Sequence, residues 1–487
     1  VARIRRCTPT ALAVVALCLI SSADGFDATL WQSYTNMNFV TDLAEGEDEI
    51  YIGTTGGIRR FGRFQDEWLR TLTTTDGLPS NVVERMTFER TTGDLHIQTP
   101  NGTARWMSRL ETLVAGGSPE FFDRPAGRIP HDVIMPFGYY VSGGLIRGPR
   151  RDYRITDVLV DSWDNLWVGT AGLGLGRADL RFSTVEFLRH GPIEQNVTAL
   201  ARDGDYIWFG GRDDFGTFAR GVSRYDTRSD RWEYYEEDLV YGLDDAQVTS
   251  ILSTESDVWF GTDRGVVRYW SRDDAWHTYR FSRWTNRRIG PTTAMVRDGN
   301  RLWIGTTTGL AVLDLPADTL RVVSGSERFE IEAMSAGHGT LWAATDRGLF
   351  FCPRGEVTWT SSRLANVPVR GVDARGDTLA LVLAEPPSLW VRAHPDSSAV
   401  TWPLPESGGS RTIDVARDGF RVWVATDQGV LLVNTRTGDW RNITPSDGLV
   451  SGEVRSIAVH GDHIWFGTRQ GASRYNWSRD LHDPESD

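Results

Sequence analysis

Hydrophobic and polar positions along the chain fall into one motif that is repeated from near the N-terminus to the C-terminus. The copy Ile464-Trp465-Phe466-Gly467-Thr468 runs through Arg469-Gln470-Gly471 into Ala472-Ser473-Arg474-Tyr475. Val258-Trp259-Phe260-Gly261-Thr262 continues through Asp263-Arg264-Gly265 to Tyr269, and Ile50-Tyr51-Ile52-Gly53-Thr54 continues to Phe61 in the same way. A short run that is apolar on both faces predicts a strand whose sheet is sandwiched between two others. The Gly that follows supplies the positive φ of a hairpin turn, so a third strand comes next. A β-rich run such as 453–459 precedes the Trp segment, and a fourth strand with another aromatic follows, as at Trp232, Trp276 and Trp440. Each unit therefore reads as four strands.

Clear copies stand at Leu166-Trp167, Ile207-Trp208, Val258-Trp259, Leu302-Trp303, Leu341-Trp342, Val422-Trp423 and Ile464-Trp465, with a faded copy at Leu379-Ala380-Leu381-Val382. A degenerate unit at Leu95-His96-Ile97-Gln98-Thr99 carries His96 at the Trp position, read as a core substitution. A weak unit is expected around Phe137 to Arg147. Steps such as Trp259 to Trp303 and Trp423 to Trp465 put the period at about 43 residues, suited to a propeller blade and too long for a leucine-rich repeat. A small twisted sheet cannot bury both faces alone, so units stack radially into a ring.

The expected fold is an all-β β-propeller of about eleven four-stranded blades spanning 24–487. More than about eight blades favours two rings over one large ring, although the boundary between rings is not located by the sequence. Glycine at the fourth position of the Trp strand fits close approach of a neighbouring sheet. The strand Leu30-Trp31-Gln32-Ser33-Tyr34 lacks the partners that precede its type elsewhere, while the last unit lacks a fourth strand. The two are expected to pair and close a ring.

The chain has 20 Trp, most at fixed repeat positions, which assigns them first to core. All its basic residues are Arg, which removes Schiff-base lysine chemistry and a phosphate-loop lysine. A formal net charge of -13 opposes general nucleic-acid binding. Arg3, Arg5 and Arg6, an apolar run from Ala11 to Ile20 and small residues at 21–23 read as a signal peptide over 1–23. That run is about half the roughly 20 residues of a membrane span, so the expected location is periplasmic or extracellular and not membrane-spanning. Cys7 and Cys18 lie in this leader, where lipidation of Cys18 is disfavoured by Leu17 before it. Cys352 is then left without an intrachain partner, as a buried small hydrophobe.

The dipeptide Gly448-Leu449, the run before the Trp strand, Ile464 to Thr468, Gly471 and the Arg474-Tyr475 strand together resemble the two-component regulator propeller repeat. That family forms the ligand-binding sensor portion of bacterial hybrid two-component regulators, and similar repeats occur in components of the type IX secretion apparatus. The resemblance covers nearly the whole chain after the leader and implies an extracytoplasmic binding propeller. The sensor regulators continue into an immunoglobulin-like segment, a membrane helix and a kinase. The sequence stops at Asp487 without them, so a separate signalling or secretion partner is implied.

No nucleophile motif, metal spacing or phosphate loop stands out, so no catalytic, metal-binding or cofactor-binding residue is assigned. Asp161-Ser162-Trp163-Asp164-Asn165 has part of a calcium-loop pattern without the downstream Glu, and a turn is the favoured reading. Glu236-Glu237-Asp238 reads as a solvated loop, and His460 and His463 flank a turn. Two long connections are the candidate ligand-binding segments, because propellers bind through loops around the channel. One carries Asp213, Asp214 and Phe215; the other carries Arg283, Trp284, Arg287 and Arg288, guanidinium groups beside an indole that suit sugar faces or anions. The expected function is an exported, non-catalytic ligand- or protein-binding propeller, sensor-like or scaffold, for a glycan or protein. The alternatives are a propeller carbohydrate-active hydrolase or lyase, requiring two carboxylates facing one cavity, and a secretion-apparatus component.

Overall fold

The computed structural model describes residues 29–117, 121, 127–181, 184–212, 220–244, 247–283, 289–337, 339–376, 378–392, 398–404 and 412–480. The expected leader lies outside them. The described residues form ten antiparallel sheets, nine of four strands and one of six.

Seven sheets make a closed ring. In chain order their spans are 196–236, 248–280, 292–322, 331–365, 369–403, 412–443 and 454–476, the last completed by Trp31–Tyr34; these are ring blades 1 to 7. Each blade's first strand packs beside the first strand of the next, and that of blade 7 packs against that of blade 1. The remaining sheets, over 40–72, 85–115 and 140–188, are the first, second and third arc sheets. The third packs on the first and the first on the second, so these three stand as an arc beside one ring. The repeat number favours two rings, but among the described residues only one ring closes, with seven blades, and the other three sheets form an open arc in place of a second ring. The count is ten because the weak unit near Phe137 adds two strands, Tyr140–Ser142 and Leu145–Arg147, to the six-stranded third arc sheet.

The motif explains this stacking residue by residue. Each Trp faces the following blade: Trp208 meets Phe260 with ring centroids 5.3 Å apart, and Trp465 meets Phe209 at 5.8 Å across the closure of the ring. A Cβ at Gly261 would stand 2.5 Å from Thr292 Cγ2 of the next blade, so the backbone there approaches too closely for a side chain. The Thr after it fixes the hairpin, because its hydroxyl donates to the carbonyl of a glycine three residues on. Examples are Thr262 to Gly265 at 3.2 Å and Thr468 to Gly471 at 2.9 Å. Gly471 has φ +116, a conformation L side chains disfavour.

The N-terminal strand completes blade 7 as expected, with Trp31 opposite Tyr475 and Tyr34 opposite Ala472. Trp31 takes the register place of Trp276, which stands opposite Tyr269 in blade 2. Its indole stacks on Tyr475 at 4.4 Å.

The arc follows the same rule until it ends. Trp167 of the third sheet packs on Phe61 of the first, and Tyr51 of the first on Phe88 of the second. In the second sheet the corresponding places hold His96 and Gln98, and no described sheet follows. His96 is not core: it is half-buried on this open polar face, with Nε2 3.1 Å from Glu89. The other end of the arc is covered by an apolar segment, with Ile129, Val133 and Met135 packed on the cluster around Leu166 and Val168. A polar face and a covered face at the two ends are what a finite stack needs.

Candidate functional site

In every blade the exit of the fourth strand, the entry of the next first strand and the turn between strands two and three lie at the same edge. Both candidate connections belong to this face of the ring. Asp213, Asp214, Phe215, Trp284, Arg287 and Arg288 lie outside the described residues; Arg283 is described, and it is exposed at the end of the one-turn helix Phe281–Arg283.

The described roots of the two connections converge. Arg212, at the start of the first, forms an ion pair with Asp263 in the blade 2 hairpin turn. Phe281 N, at the start of the second, donates to Arg264 O of the same turn at 3.0 Å. At the far end of the first connection, Arg220 O accepts from Glu237 N at 3.0 Å.

That last contact leads to a cluster sequence reasoning placed wrongly. Glu236 is not solvated. It is 3 % exposed and holds two guanidinium groups of the third arc sheet and the segment after it, Arg151 and Arg189, the latter at 2.6 Å. Burying a carboxylate is tolerable when it is paired and hydrogen-bonded, and here the pairing ties arc to ring. Arg189 also lies 4.0 Å over the Tyr234 ring, and burial depresses its pKa.

The chain crosses between ring and arc twice at this place, and the two crossings bond to each other. Met37 N donates to His190 O at 3.1 Å, His190 N to Asn38 Oδ1 at 3.0 Å, and Asn36 Nδ2 to Ile193 O at 2.7 Å. Burial, with Arg59 nearby, pushes the His190 pKa well below its ordinary value, so the imidazole stays neutral. Arg59 itself stacks 3.6 Å over Trp68 and is pushed down to about 10 by burial, still charged at neutral pH. The sequence marks this junction only weakly, by the run Thr35-Asn36-Met37-Asn38, since polar runs such as Thr73-Thr74-Thr75-Asp76 follow other fourth strands too.

Within the ring, the first strand of each blade carries one β-bulge near its start, and the extra residues form a rim. They are Thr198, Thr249, Thr293, Glu332, Arg370, Ile413 and Arg455. Three threonines hold neighbouring blades together: Thr198 donates to Val248 O, Thr249 to Thr292 O and Thr293 to Ile331 O. Glu332, the one carboxylate of the seven, is paired with Arg370. The rim is thus hydroxyl-rich on one side and charged on the other. One step along blade 6, the half-buried Asp414 accepts through its carboxylate from Val415 N and Ile457 N, and desolvation pushes its pKa up to about 6.

The turn at Asp161 resolves as expected from the favoured reading. Its carboxylate accepts from Trp163 N, Asn165 N and Trp167 Nε1, each at 2.9 Å, so protein donors occupy the oxygens a cation would need. His460 and His463 face each other across the hairpin at 461–462. Cys352 is buried, and burial pushes its thiol up to about 11, away from nucleophilic chemistry. Among the described residues no group of three or more His, Cys, Asp or Glu side chains could hold a metal ion, and no helix is long and apolar enough to cross a membrane.

No family model matches the sequence, and no curated protein matches it. Among solved structures, the chain is similar to the extracellular domain of the one-component system BT4673 of B. thetaiotaomicron, at 16% identity and TM-score 0.46, covering 90% of this chain and 69% of that one. It is similar to the extracellular domain assigned to a hybrid two-component system, BT3049 of the same organism, at 14% identity and TM-score 0.45, covering 91% and 69%. PorZ, a surface component of the type IX secretion system of Porphyromonas gingivalis, is similar at 16% identity and TM-score 0.48, covering 90% and 68%.

Proposed function

We propose that this protein is an exported, non-catalytic binding propeller, acting as a sensor module or scaffold, with its ligand taken at the face where the two long connections rise. The observation that carries the reading is the convergence of Arg212, Phe281 and Glu237 on one region beside the arc junction. The two connections that start and end there carry, in sequence, Asp213, Asp214, Phe215, Arg283, Trp284, Arg287 and Arg288. Aromatic side chains beside paired guanidinium and carboxylate groups suit a glycan or a polar peptide surface, since each can be met by both donors and acceptors. The leader supports a periplasmic or extracellular site of action, and a separate signalling or secretion protein would carry the output.

The carbohydrate-active enzyme reading needs a pair of carboxylates with separated pKa values facing one cavity. At the rim, Glu332 is held in an ion pair by Arg370, which suits structure more than proton donation.

The test is a glycan array and a protein-partner screen on the chain without residues 1–23. The reading expects a saturable ligand whose affinity falls at least tenfold in a variant combining Arg283→Ala, Arg287→Ala and Arg288→Ala. Turnover of a bound glycan by the unaltered chain would replace this reading with the enzyme one.

A further inference from the structure

We propose that the cleft between ring blades 3 and 4 is a second binding site, for a small neutral aromatic molecule. The cleft has a volume of about 490 Å³, and its lining contains none of the residues of the two long connections. Its walls include Leu310 and Ile331, with Phe329, Phe350 and Trp359 around them and Ala343 at the base.

Its origin is a local departure from the repeat. The residue after the Trp of the second strand faces the preceding blade and is bulky elsewhere: Phe209, Phe260, Ile304, Val424 and Phe466. In blade 4 it is Ala343. The missing bulk reappears across the strand, where Phe350 pairs with Ala343, as Val267 pairs with Phe260 in blade 2. Phe350 does not refill the space, because it leans on Phe329, with ring centroids 4.8 Å apart at 50°. Trp359 stands edge-on to Trp303 at 5.5 Å and 80°. What remains is a gap bordered by ring systems where sibling blades carry a side chain of their own.

The lining decides the ligand class. Among the described residues no ionisable side chain lines the cleft, in a chain in which 24% of residues are charged, so a charged ligand would lose hydration without compensation. The inner hydroxyls are committed to the backbone, Ser326 to Val323 O at 2.7 Å and Thr345 to Gly348 O at 2.8 Å. Ser324 and Thr358 stand at the rim, where they can meet one polar group of a ligand. A dry apolar cavity of about 150 Å³ already admits benzene, and pockets of about 300 to 1,000 Å³ hold small molecules; one or two fused rings fit. Ring walls favour an aromatic occupant over an alkyl one, through edge-to-face contact that an alkyl chain does not make.

The experiment titrates the folded chain with indole and p-cresol, using cyclohexanol as the aliphatic and benzoate as the charged comparison, followed by calorimetry and ligand-observed NMR. Indole or p-cresol is expected to bind saturably with a Kd of about 1 mM or tighter, at least tenfold tighter than either comparison. Ala343→Phe, which restores the ring found in blades 1, 2 and 7, is expected to weaken binding at least tenfold and leave the unfolding midpoint unchanged or higher. Should that variant fail to fold, Ala343→Val is expected to give an intermediate loss. Absence of saturable binding, unchanged affinity in the filling variants, or cyclohexanol binding as tightly as indole would each overturn the proposal.

Discussion

Removing the indole of Trp31 tests the ring closure directly. Trp31 is 6 % exposed, stacks on Tyr475 at 4.4 Å and reaches Phe466 at 6.2 Å, so Trp31→Ala opens a cavity in the core shared by blades 6 and 7. Large-to-small changes of this kind cost about 3 to 5 kcal/mol. Trp440 provides the control, because it holds the same place in blade 6, opposite Val433, yet is 53 % exposed. Trp440→Ala should therefore cost less than about 1 kcal/mol. Urea unfolding followed by far-ultraviolet circular dichroism compares the two. Loss of the indole in the closing strand should lower the midpoint several-fold more than loss of the indole in blade 6. Equal shifts in the two variants would refute the assignment of Trp31 as the structural fourth strand of blade 7.

Other changes probe the remaining joints. Glu236→Ala leaves Arg151 and Arg189 buried without their carboxylate and should cost about 3 to 5 kcal/mol, with faster amide exchange at Ile193 and its neighbours as the local readout. Gly261→Ala forces a Cβ against Thr292 and should cost about 1 to 3 kcal/mol in the same unfolding assay. Burial pushes the Asp414 pKa up to about 6, well above the ordinary carboxylate range, with Asp373 and Arg375 nearby. The folded state therefore holds this proton more tightly than the unfolded chain, and its contribution to stability falls by about 3 kcal/mol as pH rises from about 4 through 6. Asp414→Asn should flatten that part of the pH–stability curve, and an unchanged slope would remove Asp414 as its source.

Much of this architecture was written in local pattern. The spacing of Trp465, Gly467, Thr468 and Gly471 encodes a strand, a close approach and a hairpin, and all of these depend on residues only a few positions apart. The pairing of Trp31 with Tyr475 was legible for another reason, since one end offered a strand that the other lacked. The ring–arc division was only half visible. His96 and Gln98 in place of Trp and Gly mark a face with no following sheet, yet the same letters also suit a worn repeat in a core. The Glu236 cluster was illegible, because its partners Arg151 and Arg189 lie 85 and 47 residues away and no local rule selects them from the many arginines. The Ala343 cleft needed the register of blade 4 before the Phe350 exchange could be recognised.

The arc lies in the chain between the closing strand and blade 1, which imposes an order on biosynthesis. Trp31 is made before the arc and blades 1 to 6, and Tyr475 after them, so the clasp stays open until all of these have been synthesised. Meanwhile residues 40–188 can stack locally, and blades 1 to 6 can add one by one, each on the edge left by its predecessor. The final step joins two ends separated by more than 400 residues, but the arc shortens that search: the crossings at 35–39 and 189–195 already hold the waiting strand at the entrance to blade 1. In the folded protein the arc thus bridges the closing strand to blade 1, so the loop the closing contact must shut is shorter than the sequence separation implies.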